Sequence, residues 1–106
     1  MQMKRPTRKK VREDLLAQME RNGTVGDYYT DLVEDYMTLW DTKNLLARDI
    51  KERGIVVDYT NASGKVSKKK NESIEQMNKV NAQMLKILEA LGIKPDRGVA
   101  DADEPL

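Results

Sequence analysis

Apolar side chains recur at helical spacing in three stretches of the chain, and glycine-containing turns separate the stretches. In the first stretch Val11, Leu15 and Met19 stand four residues apart, which places them on one face of a helix. Gly23 follows shortly afterwards and is typical of a helix end. This pattern predicts a short helix over residues 8–21.

The strongest helical pattern lies in the middle of the chain. Apolar residues alternate there at four- and three-residue steps, and Asp27 precedes them as a good N-cap. Gly54 suits the C-terminal cap, where a left-handed backbone is common. These features predict a helix over residues 28–53, roughly 40 Å long, with Lys43 interrupting its seam. The apolar seam consists of Tyr29, Val33, Tyr36, Trp40, Ala47 and Ile50.

A β-branched stretch follows the long helix. Ile55, Val56 and Val57 favour a strand, and residues 61–64 carry a turn signal before a second short run of strand residues. We therefore predict a small β-hairpin over residues 55–68. An isolated hairpin is only marginally stable, so we expect it to lean on the helices or to pair with a neighbouring copy of the chain.

The last helical pattern covers residues 72–91. Its N-terminus offers two rival caps, namely Asn71 and a capping box formed by Ser73 with Gln76. Gly92 suits the end of the helix. The lysine run before it, residues 68–70, is predicted to lead into the helix. The apolar seam consists of Ile74, Met77, Met84, Leu88 and Leu91, and Asn81 is a polar interruption in it.

Charge separates the two ends of the chain, although the net charge is only +1. Residues 1–12 hold six basic and no acidic residues, whereas residues 95–106 hold four acidic residues and one basic residue. Such an asymmetry suggests that the basic arm contacts nucleic acid and the acidic end another partner. The alternative for the arm is a solubilising tail. The candidate nucleic-acid-binding residues are Lys4, Arg5, Arg8, Lys9, Lys10 and Arg12.

A second basic cluster borders the predicted hairpin. Lys65, Lys68, Lys69 and Lys70 are possible secondary nucleic-acid-binding residues, because lysine neutralises phosphate charge. Lysine is also commonly used to protect a strand edge against aggregation. The sequence favours this second interpretation.

The aromatic residues of the long helix also admit two interpretations. Tyr28, Tyr29, Tyr36 and Trp40 could stack on the bases of single-stranded nucleic acid. At helical spacing, however, aromatic residues far more often pack in a core or in a subunit interface. The packing interpretation is therefore favoured.

The composition argues against most hydrolase and zinc-site chemistry, and it leaves open chemistry based on carboxylates or on serine and lysine. The chain has 106 residues with no cysteine and no histidine, so it lacks thiol nucleophiles, thiolate metal ligands and the commonest general base near neutral pH. It has no Gly-x-x-x-x-Gly-Lys-Ser/Thr loop, no signal peptide and no apolar run long enough to cross a membrane. We therefore expect a soluble intracellular protein that is not an enzyme, with no catalytic residues, no metal and no cofactor.

Three segments together resemble one protein family. They are the run from Asp35 to Gly54, the hairpin from Ile55 running on to Asn71, and the run from Val80 to Pro95. In this order and spacing they resemble a group of phage terminase small subunits. In that group a long helix ends at a charged residue plus glycine, a short hairpin follows, and a second helix ends at Gly-x-x-Pro. The resemblance covers roughly residues 13–95.

The resemblance implies a non-catalytic subunit that assembles with copies of itself, commonly as a ring. Such subunits recognise the packaging site on viral double-stranded DNA and present the DNA to the large subunit, which holds the ATPase and the nuclease. The expected location is then the host cytoplasm. The rival functions are a small dimeric transcriptional regulator and a scaffold or adaptor that binds only protein. The predicted core and oligomer contacts are Tyr29, Val33, Tyr36, Trp40, Ile50, Ile74, Met77, Met84 and Leu88.

The predicted fold class is mainly α: a short N-terminal helix, a long helix, a small β-hairpin, a second long helix and a disordered acidic tail, in an oligomeric helical assembly. Residues 1–22 would form the DNA-binding arm and short helix. Residues 27–92 would form a helix–hairpin–helix oligomerisation core, and residues 93–106 the tail. The tail either docks on a basic surface of the large subunit or improves solubility.

Overall fold

A computed structural model describes residues 5–94, which form helices and one two-stranded antiparallel sheet. The mainly helical fold with a small hairpin is thereby confirmed. Lys4 and nearly all of the predicted acidic tail lie outside the described residues. The elements in chain order are α1 (Arg8–Asn22), α2 (Asp27–Arg53), β1 (Val56–Thr60), β2 (Val66–Lys70) and α3 (Ser73–Ala90).

Both ends of α1 are capped by local hydrogen bonds. The Thr7 hydroxyl accepts a hydrogen bond from the Lys10 amide at 3.2 Å, which satisfies one free donor of the first turn. At the other end Gly23 adopts a left-handed conformation with φ of 72°, which glycine reaches without a steric penalty. Leu15 and Met19, from the predicted apolar face, are buried.

The start of α2 differs by one residue from the sequence prediction. Asp27 is the first helical residue rather than the N-cap, and Gly26 occupies the cap position without a side-chain hydrogen bond. A carboxylate in the first turn still interacts favourably with the positive end of the helix dipole. Helix α2 ends at Arg53 with Gly54 as its C-cap, as predicted, but Gly54 has φ of 85° and ψ of −177° and so does not adopt the expected left-handed helical conformation.

The core lies where α1, the first half of α2 and the end of α3 meet. Its buried residues come from all three segments, and several predicted contact residues pack around them, including Tyr29, Tyr36, Trp40 and Leu88. Burial of this apolar surface is the main force that holds the helices together. The buried members of the cluster are Leu15, Met19, Val33, Met37 and Leu91.

Helices α2 and α3 pack antiparallel, as their contacts at both ends show. Ser73, at the start of α3, hydrogen-bonds Asp49 near the end of α2. Leu91, just after α3, packs in the core cluster with Val33, near the start of α2. The hairpin therefore connects two neighbouring helices at one end of the molecule.

The hairpin is shifted toward the last helix relative to the prediction. Strand β2 runs through residues 66–70, so the lysine run that was predicted to lead into α3 belongs to the sheet. The register pairs Val56 with Lys70 and Thr60 with Val66. At the turn, the Asn61 side-chain oxygen accepts hydrogen bonds from the amides of residues 63 and 65, both at 3.0 Å.

Candidate nucleic-acid interface

Two arginines of the predicted DNA-binding set are held against α2. Arg8 Nε lies 3.0 Å from an Asp41 carboxylate oxygen, and Arg12 Nη2 lies 2.6 Å from Glu34 Oε2. The hydrogen bond with Glu34 raises the pKa of Arg12, and the same contact lowers the pKa of Glu34. Both arginines thus form ion pairs with acidic residues of α2, and these carboxylates partly neutralise their charge.

The other described cations of the arm remain available. Arg5, Lys9 and Lys10 are exposed, and none of them forms an ion pair with an acid among residues 5–94. They lie on the arm and the first turn of α1, beside the arginines that hold this turn against α2. Among the described residues, Arg5, Lys9 and Lys10 are therefore exposed cations close to the ion pairs between α1 and α2.

A groove with a volume of about 670 Å³ runs between the arm and the second half of α2. We call it the basic groove. Four of its lining residues are cationic and none is acidic, and the four form no ion pair within the described part of the chain. It thus concentrates positive charge next to the arm. The lining residues are Arg5, Pro6, Trp40, Lys43, Asn44, Ala47, Arg48 and Lys51.

Sequence reasoning missed three cations of the basic groove, namely Lys43, Arg48 and Lys51. A signal was present for two of them, because Lys43 and Lys51 stand with Ala47 at four-residue steps and so share one helix face. The periodicity instead predicts Lys43 to be an interruption of the apolar seam. The structure explains the interruption, since the seam leaves the core at this point and borders the groove.

The lysines of the hairpin have partners close by. Lys68 Nζ lies 2.9 Å from an Asp58 carboxylate oxygen. Lys69 Nζ lies 3.6 Å from a Glu72 carboxylate oxygen and 5.4 Å from the centroid of the Tyr59 ring. Half of this cluster is thus compensated locally. Lys65 and Lys70 are exposed, and the cluster does not join the basic groove through any lining residue.

A network of polar residues anchors the base of the hairpin. We call Asp49, Arg53, Asn71 and Ser73 the polar clasp. Arg53 donates to both carboxylate oxygens of Asp49, at 2.7 and 2.9 Å, and to the Asn71 side-chain oxygen at 3.0 Å. The Ser73 hydroxyl donates to Asp49 at 2.6 Å. These hydrogen bonds, led by those from Arg53, hold the pKa of Asp49 well below its usual range.

The N-cap position of α3 is Glu72, whose side chain makes no capping hydrogen bond, and the neighbouring Asn71 supplies one instead. The Asn71 side-chain oxygen accepts a hydrogen bond from the Ser73 amide at 2.9 Å, as an N-capping side chain does. Ser73 is not the cap, because its hydroxyl is turned toward Asp49. The predicted capping box of Ser73 with Gln76 is therefore wrong.

A second groove, of about 480 Å³, is mainly apolar and lies where α1, α2 and the end of α3 meet. We call it the apolar groove. Tyr36 and Leu88, two of the predicted oligomer contacts, line it, and Leu85 at its edge is 66% exposed. The other predicted contacts differ in burial: Val33 and Met84 are buried, whereas Ile50, Ile74 and Met77 are partly buried. The groove is lined by Leu15, Gln18, Tyr36, Leu85, Leu88, Glu89, Gly92, Ile93 and Lys94.

Residues 5–94 contain neither a cluster of metal ligands nor a helix that could span a membrane. No group of three or more Asp or Glu side chains there is arranged to hold a metal ion. Two of the acidic residues of α2, Glu34 and Asp41, instead pair with the arginines of α1. No helix in the same residues is both long and apolar enough to cross a membrane.

Comparison with known proteins agrees with the resemblance seen in the sequence. The family model described as phage terminase, small subunit, matches residues 9–98, which is most of the chain. No curated protein and no solved structure matches the chain. The matched range takes in the hairpin, the second and third helices and all of the first helix except Arg8. The chain therefore belongs to the phage terminase small-subunit family, whose role lies in phage DNA packaging.

Proposed function

We propose that this chain is a non-catalytic small terminase subunit that binds viral double-stranded DNA at the packaging site as a homo-oligomer. It delivers that DNA to the large subunit, which carries the ATPase and the nuclease, in the host cytoplasm. Terminase small subunits are generally non-catalytic, and this chain has neither cysteine nor histidine.

The observation that carries the DNA-binding part is the free charge of the basic groove. Lys43 and Lys51 stand eight residues apart on α2, which is about 12 Å along the helix axis. At a rise of about 3.4 Å per base pair, this distance corresponds to three or four steps of a DNA strand. Together with Arg5 on the arm, these cations form a surface that follows several phosphates.

The proposed homo-oligomer is supported by apolar surface that remains exposed in a single copy of the chain. The apolar groove contains Tyr36 and Leu88 beside the exposed Leu85. The Cα radius of gyration is 18.8 Å, whereas a compact domain of this length has a value of about 13 Å. An elongated chain with open apolar surface gains stability by packing against further copies.

Neutralising the basic groove tests the DNA-binding proposal. We expect the variant Lys43→Gln/Arg48→Gln/Lys51→Gln to bind duplex DNA more weakly than the unaltered protein. The slope of log affinity against log salt should fall by about 3, because each lost phosphate contact removes roughly one released counterion. Fluorescence anisotropy of a labelled duplex across a salt series measures both quantities.

A second triple variant provides the matched control. Lys65→Gln/Lys68→Gln/Lys70→Gln removes the same charge from the hairpin, where Lys68 already pairs with Asp58. We expect this variant to keep most of the salt slope. An unchanged slope in the groove variant, or an equal loss in both variants, contradicts the assignment of DNA binding to the basic groove.

A further inference from the structure

The only tryptophan of the chain lies between the core and the basic groove. Trp40 is partly buried and packs against the core cluster that includes Val33 and Met37. The same residue lines the basic groove beside Lys43 and Asn44. An indole in this position is held firmly by the core and still borders an open, cationic space.

The residues around Trp40 suit a nucleotide better than a simple anion. Ala47 has the smallest side chain among the α2 residues of the lining, which leaves room above the helix. The Asn44 side-chain amide carries both hydrogen-bond donors and an acceptor, as the edge of a nucleobase does. The cations flank this uncharged strip, with Lys43 near one end and Lys51 at the other.

Duplex DNA cannot use the aromatic part of this groove. Its bases are stacked on one another and offer only their edges in the grooves of the helix. An unpaired base can instead place its face on an aromatic side chain. Proteins that bind single strands commonly combine a positively charged groove with such a stacking residue.

We infer that the basic groove binds unpaired nucleotides of single-stranded DNA. One base stacks on Trp40, and Lys43, Arg48 and Lys51 hold the neighbouring phosphates. The inference rests on the DNA-binding role proposed above, and it names the form of DNA that this groove prefers. The far more common packing role of a helical tryptophan remains, since the other side of the residue is part of the core contacts.

Trp40 fluorescence reports on this site directly, because the chain has no other tryptophan. The unaltered protein is titrated with a thymidine strand of about 10 nucleotides, with an abasic strand of the same length, and with a short duplex. We expect the thymidine strand to quench the emission and to bind about tenfold or more tightly than the abasic strand. The abasic strand and the duplex should leave the emission nearly unchanged.

The variant Trp40→Leu tests the stacking contact separately from charge. Leucine retains apolar contact with the core, and circular dichroism checks that the variant is folded. Its affinity for a labelled thymidine strand should fall to that of the abasic strand, while its affinity for the abasic strand stays the same. If this variant does not fold, the titration of the unaltered protein still decides the question.

The outcomes separate this inference from the proposed function. Equal affinity for thymidine and abasic strands, or binding without a change in Trp40 emission, overturns the inference. If duplex binding through the groove cations persists in that case, the proposed function stands. If the unaltered protein binds none of these DNA molecules at low salt, both the inference and the proposed function are overturned.

Discussion

Asn71 is fully buried although its side chain is polar, and it joins three parts of the chain. Its amide nitrogen donates to the Gly54 carbonyl at 3.0 Å and to Asp49 at 3.2 Å, while its oxygen accepts from Arg53 and from the Ser73 amide. Every hydrogen-bonding group of the side chain is therefore used. A buried polar residue is tolerated when its partners are all present.

Replacing Asn71 tests the importance of the polar clasp. The variant Asn71→Ala leaves the partly buried Gly54 carbonyl and the buried Ser73 amide without their partner, so we expect the free energy of unfolding to fall by about 2 to 3 kcal/mol. Urea denaturation followed by circular dichroism measures the change. Asn78→Ala, at an exposed position of α3, is the control and should have little effect. A similar loss in both variants would show that the clasp has no special role.

At the residue scale, the sequence predicted contacts between residues that are close to each other along the chain. Asn71 was one of two rival caps for the last helix, and its bond to the Ser73 amide spans only two residues. Its contact with Asp49 spans 22 residues. Periodicity and capping rules describe local structure, so they cannot show that a capping side chain also meets the end of another helix.

At the scale of elements, α2 was located to within a residue, but its environment was not predicted. The seam of apolar residues was assigned to packing on both sides of its interruption at Lys43. In the structure its first half lies in the core, whereas Lys43 and Ala47 border the basic groove. The groove depends on where the arm rests, and the arm has no periodic pattern of its own.

The hairpin was likewise predicted only in part. The turn at residues 61–64 was recognised because it carries strong turn residues. The second strand was predicted to end at about residue 68 but ends at Lys70. Lysine has a weak strand propensity, and pairing with residues 56–58 overrides it here.

A prediction at this scale concerns the apolar groove. Leu85→Gln should leave the melting temperature of a single copy nearly unchanged, because Leu85 is 66% exposed, but it should weaken assembly. Sedimentation velocity over a concentration series measures assembly. Leu45→Gln makes the same chemical change at a leucine that is 62% exposed and lies outside the groove. Assembly that is equally weakened in both variants, or in neither, would contradict a contact role for the groove.

At the scale of the whole molecule, the first helix is not detached from the rest of the described chain. Leu15 and Met19 of α1 belong to the core cluster, and Arg8 and Arg12 pair with acids of α2. The charge that one end of the sequence carries is therefore divided. Part of it fixes α1 against α2, and part lies free beside the basic groove.

The arrangement places two different surfaces on one small molecule. The basic groove lies along the second half of α2, and the apolar groove lies where α1, α2 and the end of α3 meet. The two grooves share no lining residue, so packing of a copy through the apolar groove does not itself require the residues of the basic groove. Assembly would then bring several basic grooves together and strengthen DNA binding through multivalency.

Native mass spectrometry of the purified protein is the most direct test of the proposal that the chain assembles with copies of itself and binds DNA. We expect one closed species of many copies over a series of protein concentrations. Addition of a short DNA duplex should increase its mass by bound duplex without changing the number of copies. A monomer or a dimer at every concentration, or an oligomer that takes up no duplex, would contradict the proposal of a homo-oligomeric, DNA-binding small terminase subunit.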